Sequence, residues 1–368
     1  MRILVVNAGS SSLKLRVLDD LDRVLASRDL EAPSGRADPA DLWAFLKEAP
    51  EVSAAGHRVV HGGGDFRQSV LVTDDVLTLL SPLADLAPLH NPPALIGLEM
   101  VRTLLPGISN VACFDTAFHG NIPDEAAQYA LPLEWRESWG IRRFGFHGLN
   151  HAYVSRRAAE VLERPVEELR LVTCHLGAGA SLAAIAAGLS VDTTMGFTPL
   201  EGLVMATRSG SVDPGAVLWV QRHAGLSSDE VERILEHGSG VLGLSGLSAD
   251  MRVVLQAAHE GDPRAALAID VYVHRLCAGV AAMVASLGGL DGLVFTGGVG
   301  EGSTLIRARA CERLGFLGVE LDADRHQSAG SEDQDLSPSG ANVRVVMVHA
   351  REDLEIAREV RRLVGTTP

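Results

Sequence analysis

Short apolar runs and longer stretches of helical periodicity alternate along the chain. The runs Ile3–Val6, Leu13–Leu18, Val111–Phe114, Leu171–Cys174, Ser181–Ala187, Leu293–Thr296 and Val343–Val348 predict strands. Apolar residues at helical spacing predict helices over Pro93–Leu105, Asn150–Leu162, Ser228–His237, Pro263–Leu287, Thr304–Leu314 and Glu352–Val364. This alternation implies α/β layers, with sheets buried by helices.

The first strand breaks at Asn7-Ala8-Gly9-Ser10-Ser11-Ser12 and resumes at Leu13, the pattern of a hairpin. Two readings stand. Gly9 permits a sharp turn in which backbone N–H groups and the hydroxyls of Ser10, Ser11 and Ser12 converge on an anion, with Lys14 nearby. It is equally an ordinary Gly/Ser turn. It is not a P-loop, because a second strand follows rather than a helix. Leu171–Ile185, turning at Gly177-Ala178-Gly179, repeats the layout with small shifts. The pair suggests a duplicated fold with a ligand between the halves; the alternative is coincidence between two Gly-rich hairpins. The expected domains are 1–118 completed by a returning C-terminal helix, 353–368, and a second domain at 119–352.

Composition narrows the function. A chain of 368 residues suits about two domains. The net charge of −15 argues against nucleic acid or an anionic membrane as partner, so a small anionic substrate would need a local basic pocket. Cys113, Cys174, Cys277 and Cys311 lack metal or redox spacing and read as reduced core residues of a cytoplasmic protein. The apolar start is too short for a signal peptide. No stretch reaches the ~20 apolar residues of a membrane span, and Cys277–Leu290 comes nearest.

Several segments could carry chemistry. In His57-Arg58-Val59-Val60-His61, alternation sends Arg58 and Val60 to one face, where they suit a carboxylate with a short tail; a surface salt bridge is the other fate of Arg58. Asp115 follows the run Val111–Phe114 at a strand end, suited to a magnesium-bound water or an attacking oxygen, or else to capping a helix. Phe144-Gly145-Phe146-His147-Gly148 offers an apolar wall and a hydrogen-bond donor, although a lone His is often structural. Arg208, between Thr207 and Ser209-Gly210 in a long stretch without periodicity, is unobstructed enough to approach a phosphoryl group. Phe295–Gly302 is a Gly-rich strand-to-helix turn of the kind that admits a nucleotide or tight packing.

Taken in order, these segments resemble the acetate kinase family, within the group sharing a duplicated actin-like (ribonuclease H-like) ATPase fold of two domains with an active-site cleft between them. The motifs are Asn7–Lys14, His57–Gly63, Ala87–Pro93, Phe114–His119, Phe144–Gly148, Pro199–Gly202, Thr207–Gly210 and Phe295–Glu301. The resemblance implies reversible, in-line transfer of the γ-phosphoryl of ATP to acetate, giving acetyl phosphate and ADP. By motif position it makes Arg58 and Arg208 the clamps on carboxylate and phosphoryl group, His147 a donor to the transition state, and Asp115 an orienting group. It puts Asn7 and Glu352 near Mg²⁺, with Mn²⁺ as an alternative ion. Ser10, Ser12, Lys14, His175, Gly177 and Gly179 fall around the phosphates, and Asp250, Met251, Arg252, Gly298, Val299 and Gly300 on the adenosine side. Val60, Leu89, Phe146 and Pro199 match the acyl pocket. It also implies a homodimer.

Val60 leaves little room and favours acetate over propionate, and the small Gly298 keeps the pocket open for ATP rather than pyrophosphate. The chain departs from the family at Ala178 and Gly302, where Asn is usual, at Leu149-Asn150 and at Ala350-Arg351, and it is shorter before Arg58. The other readings are a propionate or butyrate kinase, a non-catalytic nucleotide-binding protein of the same fold, and a sugar kinase. The last lacks support, because it needs a base for a hydroxyl rather than paired arginines on a carboxylate.

Overall fold

The computed structural model describes residues 1–9, 12–32, 37–88 and 90–365. Ser10, Ser11 and Leu89, singled out above, lie outside the described residues. Contacts divide the chain into two compact units: Met1–Asn121, Phe146–Tyr153 and Arg351–Pro368 form the first, and Ile122–Gly145 and Val154–Ala350 the second. The expected segment 119–352 is therefore interrupted. Phe146–Tyr153 joins the first unit because the Gly148 N–H bonds the Asp115 carbonyl at 2.8 Å and Leu149 packs in a core with Ile3, Val5 and Ile356.

In the first unit, β1 (Ile3–Ala8), β2 (Ser12–Leu18) and β3 (Val24–Glu31) form an antiparallel meander. β4 (Ala54–Val59) runs parallel to β1, β6 (Ser109–Phe114) parallel to β4, and β5 (Val70–Leu71) pairs antiparallel at the edge. The order is β3-β2-β1-β4-β6-β5. The period of two in β1 sends Leu4 and Val6 to a core with Ala94 and Val101 of the helix Asn91–Leu104. Ile3 and Val5 face Ile356, Ala357 and Val360 of the helix Glu352–Val364. Both faces are thus covered, and each fully buried Leu, Ile or Val among these contributes about 1.5–3 kcal/mol. Gly56 lets that last helix close on the sheet, since a Cβ there would lie 2.4 Å from Ile356.

The second unit repeats the plan. β7 (Arg170–Leu176), β8 (Ala180–Ala186) and β9 (Leu189–Thr193) form the meander, β10 (Gly292–Thr296) and β12 (Arg344–Met347) run parallel to β7, and β11 (Gln334–Asp335) is the antiparallel edge. Its order, β11-β12-β10-β7-β8-β9, matches the first sheet strand for strand. The repeat read from two hairpins is thus a repeat of whole sheets. The helix Pro263–Leu287 is capped by Asp262, ends at the left-handed Gly288, and packs on β7, β8 and β9. Among the described residues it is the one helix apolar and long enough to cross a membrane.

Elements without apolar periodicity escape the sequence reading. β3 is largely exposed along its length, β4 opens on Ala54-Ala55-Gly56, and the helix Pro214–Ala224 buries no residue.

Candidate active site

Parallel pairing of β1, β4 and β6 brings their C-terminal ends together, the usual ligand edge of such sheets. Asn7 is the penultimate residue of β1, Arg58 lies near the end of β4, and Asp115 just past β6, its N–H held by the Val59 carbonyl at 3.1 Å. Arg58 donates from Nη2 to Asp115 Oδ2 at 2.5 Å and from Nε to both carboxylate oxygens at 3.1 and 3.2 Å. Its Nη1 donates to Asn7 Oδ1 at 3.2 Å. Asn7 Nδ2 in turn donates to Glu352 Oε2 at 3.2 Å, and that oxygen lies 3.9 Å from Arg58 Nε. Of the five guanidinium N–H groups, these bonds leave one on each Nη, available to a carboxylate.

Burial works against the charge on Arg58, but Asp115 and Glu352 outweigh it and hold the guanidinium above its ordinary range. The Asp115 side chain is 1% exposed. Burial pushes its carboxyl up, and the Arg58 charge pulls it back. Both carboxylate oxygens are already taken by Arg58.

The turn ending at Gly148 is tied to Asp115 by the Gly148 N–H. Gly145 and, unusually for a non-glycine, His147 have left-handed backbones with φ of 74° and 56°. Phe146 is buried, its carbonyl 3.1 Å from His119 Nε2 and its ring edge-on to His61 at 5.3 Å. Burial lowers His119 to about 4 and keeps it neutral. Asn91 clamps the backbone of His61, accepting from its N–H and donating to its carbonyl, both at 3.0 Å. That fixes the strand end behind the buried Val60. No pattern of apolar spacing could have assigned Asn91 this task.

Lys14 is exposed on β2 opposite Asn7, and Ser12 is half-buried. Among the described residues no group of three or more His, Cys, Asp or Glu could hold a metal ion. What stands around Arg58 is one amide oxygen and two carboxylates. Such a sparse, hard oxygen set fits Mg²⁺, which takes most of its ligands from water and phosphate.

In the second unit, residues 194–213 form an irregular loop carrying Pro199 and Arg208. Glu201 ties it down, receiving Arg143 Nη2 at 2.9 Å and the Tyr129 hydroxyl. Arg143 Nη1 also donates to the Thr194 and Met195 carbonyls. Burial and then Glu201 hold the Tyr129 hydroxyl protonated. Arg208 is engaged from the side, its Nε donating to Glu236 Oε2 at 2.6 Å. Glu236 left no mark in the sequence beyond being one charge on an amphipathic helix.

A cavity of about 610 Å³ opens in the same unit. It joins Gly177, Ala178, Asp250–Arg252, Gly298 and Val299; His175, Gly179 and Gly300 are not on its wall. Gly298 and Gly302 line it with open space, for a Cβ at either would meet nothing within 4 Å. Asp250 caps the helix Met251–His259 and pairs with Arg252 at 2.6 Å. The Gly-rich turn is held from behind by Glu301 Oε1, which accepts from the Gly297 N–H at 2.7 Å and the Ala350 N–H at 2.9 Å. The buried Arg307 adds bonds to the Gly300 and Glu301 carbonyls.

The sequence-expected residues therefore fall into two sets. Asn7, Arg58, Val60, Asp115, Phe146, His147 and Glu352 belong to the first unit; Pro199, Arg208 and the nucleotide-side residues from His175 onward belong to the second.

The sequence model of the Acetokinase family matches residues 40–358. An acetate kinase of Synechococcus sp. (strain JA-2-3B'a(2-13)) is 49% identical, with 99% of each chain covered. The crystal structure of Porphyromonas gingivalis acetate kinase superposes with a TM-score of 0.92 at 36% identity, covering 99% of each chain. A propionate kinase from Francisella tularensis subsp. tularensis SCHU S4 superposes at 0.90 and 35% identity, covering 98% of this chain and 99% of that one.

Proposed function

The chain belongs to the acetokinase family, and from that premise we propose how its residues divide the work of an acetate kinase. The reaction is reversible transfer of the ATP γ-phosphoryl group to acetate. One acetate oxygen forms a bond to phosphorus, the bond from phosphorus to the bridging oxygen of ADP breaks, and no proton need move because acetate is already ionised. The protein's task is positioning and charge neutralisation.

The observation that carries this reading is the buried Arg58–Asp115 pair. Arg58 binds the acetate carboxylate through the one N–H that each Nη keeps for it. Asp115, with both oxygens engaged by Arg58, orients the guanidinium instead of acting as a base. His147 donates to the transferring phosphoryl group and Arg208 neutralises it. The cavity at Gly177, Asp250 and Gly298 takes the nucleotide. Glu352 and Asn7 would hold Mg²⁺, and the ion would supply charge neutralisation on the phosphates.

Acetate is the preferred acid. The buried Val60 and Phe146 form the tail-side wall, and one methylene is worth about 1–3 kcal/mol in such a pocket. The structural likeness to a propionate kinase keeps that acid as the second reading. Specificity constants for acetate, propionate and butyrate, read as hydroxylamine-trapped acyl phosphate, test it. Acetate is expected to lead by at least about 10-fold, and a lead by propionate overturns the assignment.

The enzyme works as a cytoplasmic homodimer in this reading. The helix Pro214–Ala224 supports a covered face: it buries no residue, while Leu218, Trp219 and Val220 are about half exposed. Light scattering of the purified chain tests the dimer.

A further inference from the structure

Four bonds strap the short segment around Arg208 to the C-terminal end of the helix Ser228–His237 and to Ser239 just beyond it. The Thr207 hydroxyl donates to the Glu236 carbonyl at 2.7 Å, and the Ser209 N–H to the Leu235 carbonyl at 3.1 Å. The Ser239 N–H donates to the Thr207 carbonyl at 2.9 Å, and Arg208 Nε to the Glu236 carboxylate at 2.6 Å. On the other side, the Met205 N–H holds the Arg208 carbonyl at 3.2 Å. Gly210 and Gly240 have left-handed backbones where a Cβ would lie 2.3 Å from the Leu203 carbonyl oxygen and 2.2 Å from that of Met205. The backbone on both sides of Arg208 is thus fixed, and one contact remains to fix its side chain.

That contact uses the side of the guanidinium. Glu236 engages Nε alone, and among the described residues neither Nη group of Arg208 makes a hydrogen bond. Both side chains are mostly buried, at 19% and 16% exposed, so solvent screens the pair less than a surface one. A carboxylate across the fork would compete with an anionic substrate. One at Nε leaves the fork open and restricts where it aims.

We propose that Glu236 is a positioning residue: it holds Arg208 by Nε so that the two Nη groups face the transferring phosphoryl group. This rests on the reading of Arg208 as the phosphoryl clamp. Glu236 itself touches neither substrate nor nucleotide. It is the counterpart, in the second unit, of what Asp115 does for Arg58 in the first.

A double-mutant cycle in the full-length enzyme tests it, with kcat, KM for acetate and KM for ATP read for E236A, E236Q, R208A and E236A/R208A. Misaiming the clamp is expected to lower kcat of E236A by about 10- to 100-fold with KM for ATP unchanged. E236Q, which keeps an acceptor for Nε, recovers most of that loss. In the R208A background E236A costs less than about 2-fold, because the arginine it aims is gone. Melting temperatures of all four proteins separate misaiming from unfolding, and a loss that E236Q does not recover overturns the proposal. So does wild-type or raised activity in E236A, or losses that multiply in the double variant. R208A with full activity overturns the clamp reading itself, which is a distinguishable result.

Discussion

The Gly148 N–H donates to the Asp115 carbonyl at 2.8 Å, and a Cβ on residue 148 would lie 2.2 Å from that same oxygen. Only glycine lets the turn carrying Phe146 and His147 rest against the strand end carrying Asp115. Gly148→Ala must push the two segments apart. It is expected to cost about 1–3 kcal/mol of stability and to lower kcat/KM by roughly 100-fold, as a displacement near 1 Å can. Urea melts and steady-state rates check both, and an active, fully stable variant contradicts the argument.

Asp115→Ala leaves the Arg58 guanidinium buried without its principal partner. Removing one member of such a pair costs about 3–5 kcal/mol. Activity is expected to fall even at temperatures where the variant is folded, because the guanidinium then keeps only its weaker hold on Asn7 and Glu352. Asp115→Asn retains an acceptor and should lie between the two in melting temperature. Circular dichroism melts and rates at a low temperature decide it.

Stability should fall as the solution becomes acidic. Burial holds His57 and His119 at about 4, below the usual 6.5. Between those values the unfolded chain binds more protons than the folded one. The stability from keeping these rings neutral is therefore fully present above pH 6.5 and lost as pH falls toward 4, on the order of 3 kcal/mol for each ring. His57 Nδ1 has no hydrogen-bond partner among the described residues, and its Nε2 meets Asn110 at 2.8 Å. His57→Gln should shrink the loss by roughly half, as read from urea melts at pH 7.5 and pH 4.5.

Gly298 faces open space in the cavity rather than a packed neighbour. Gly298→Leu should leave the melting temperature unchanged while raising KM for ATP at least about 10-fold, if the side chain fills the cavity proposed for the nucleotide. An unchanged KM would move the nucleotide elsewhere.

Much of this was legible in the residues. Strands such as Ile3–Ala8 and Gly292–Thr296 are nearly continuous apolar runs because helices cover both faces of their sheets. The Gly-rich turns at Gly9 and Gly177 marked the repeat because a hairpin must turn sharply there. Arg58 and Asp115 were separately conspicuous, one among apolar residues and one at a strand end, but their bidentate pairing required the parallel register of β4 and β6. Asn91, Glu236 and Glu301 act through backbone groups or through another side chain, and such work leaves no periodic trace in a sequence. Phe146–Tyr153 could not be assigned to the first unit either, because its anchors, among them the Gly148–Asp115 backbone bond, the Phe146 carbonyl at His119 and the burial of Leu149, are tertiary contacts.

The central claim is that Arg58 is the clamp on acetate. The most direct measurement is acetyl phosphate formation, trapped with hydroxylamine, by the wild type and Arg58→Ala across acetate and ATP concentrations. The account expects kcat/KM for acetate to fall at least about 1,000-fold with KM for ATP within about 3-fold of wild type. A variant that keeps its kcat/KM for acetate, or that loses only affinity for ATP, contradicts it.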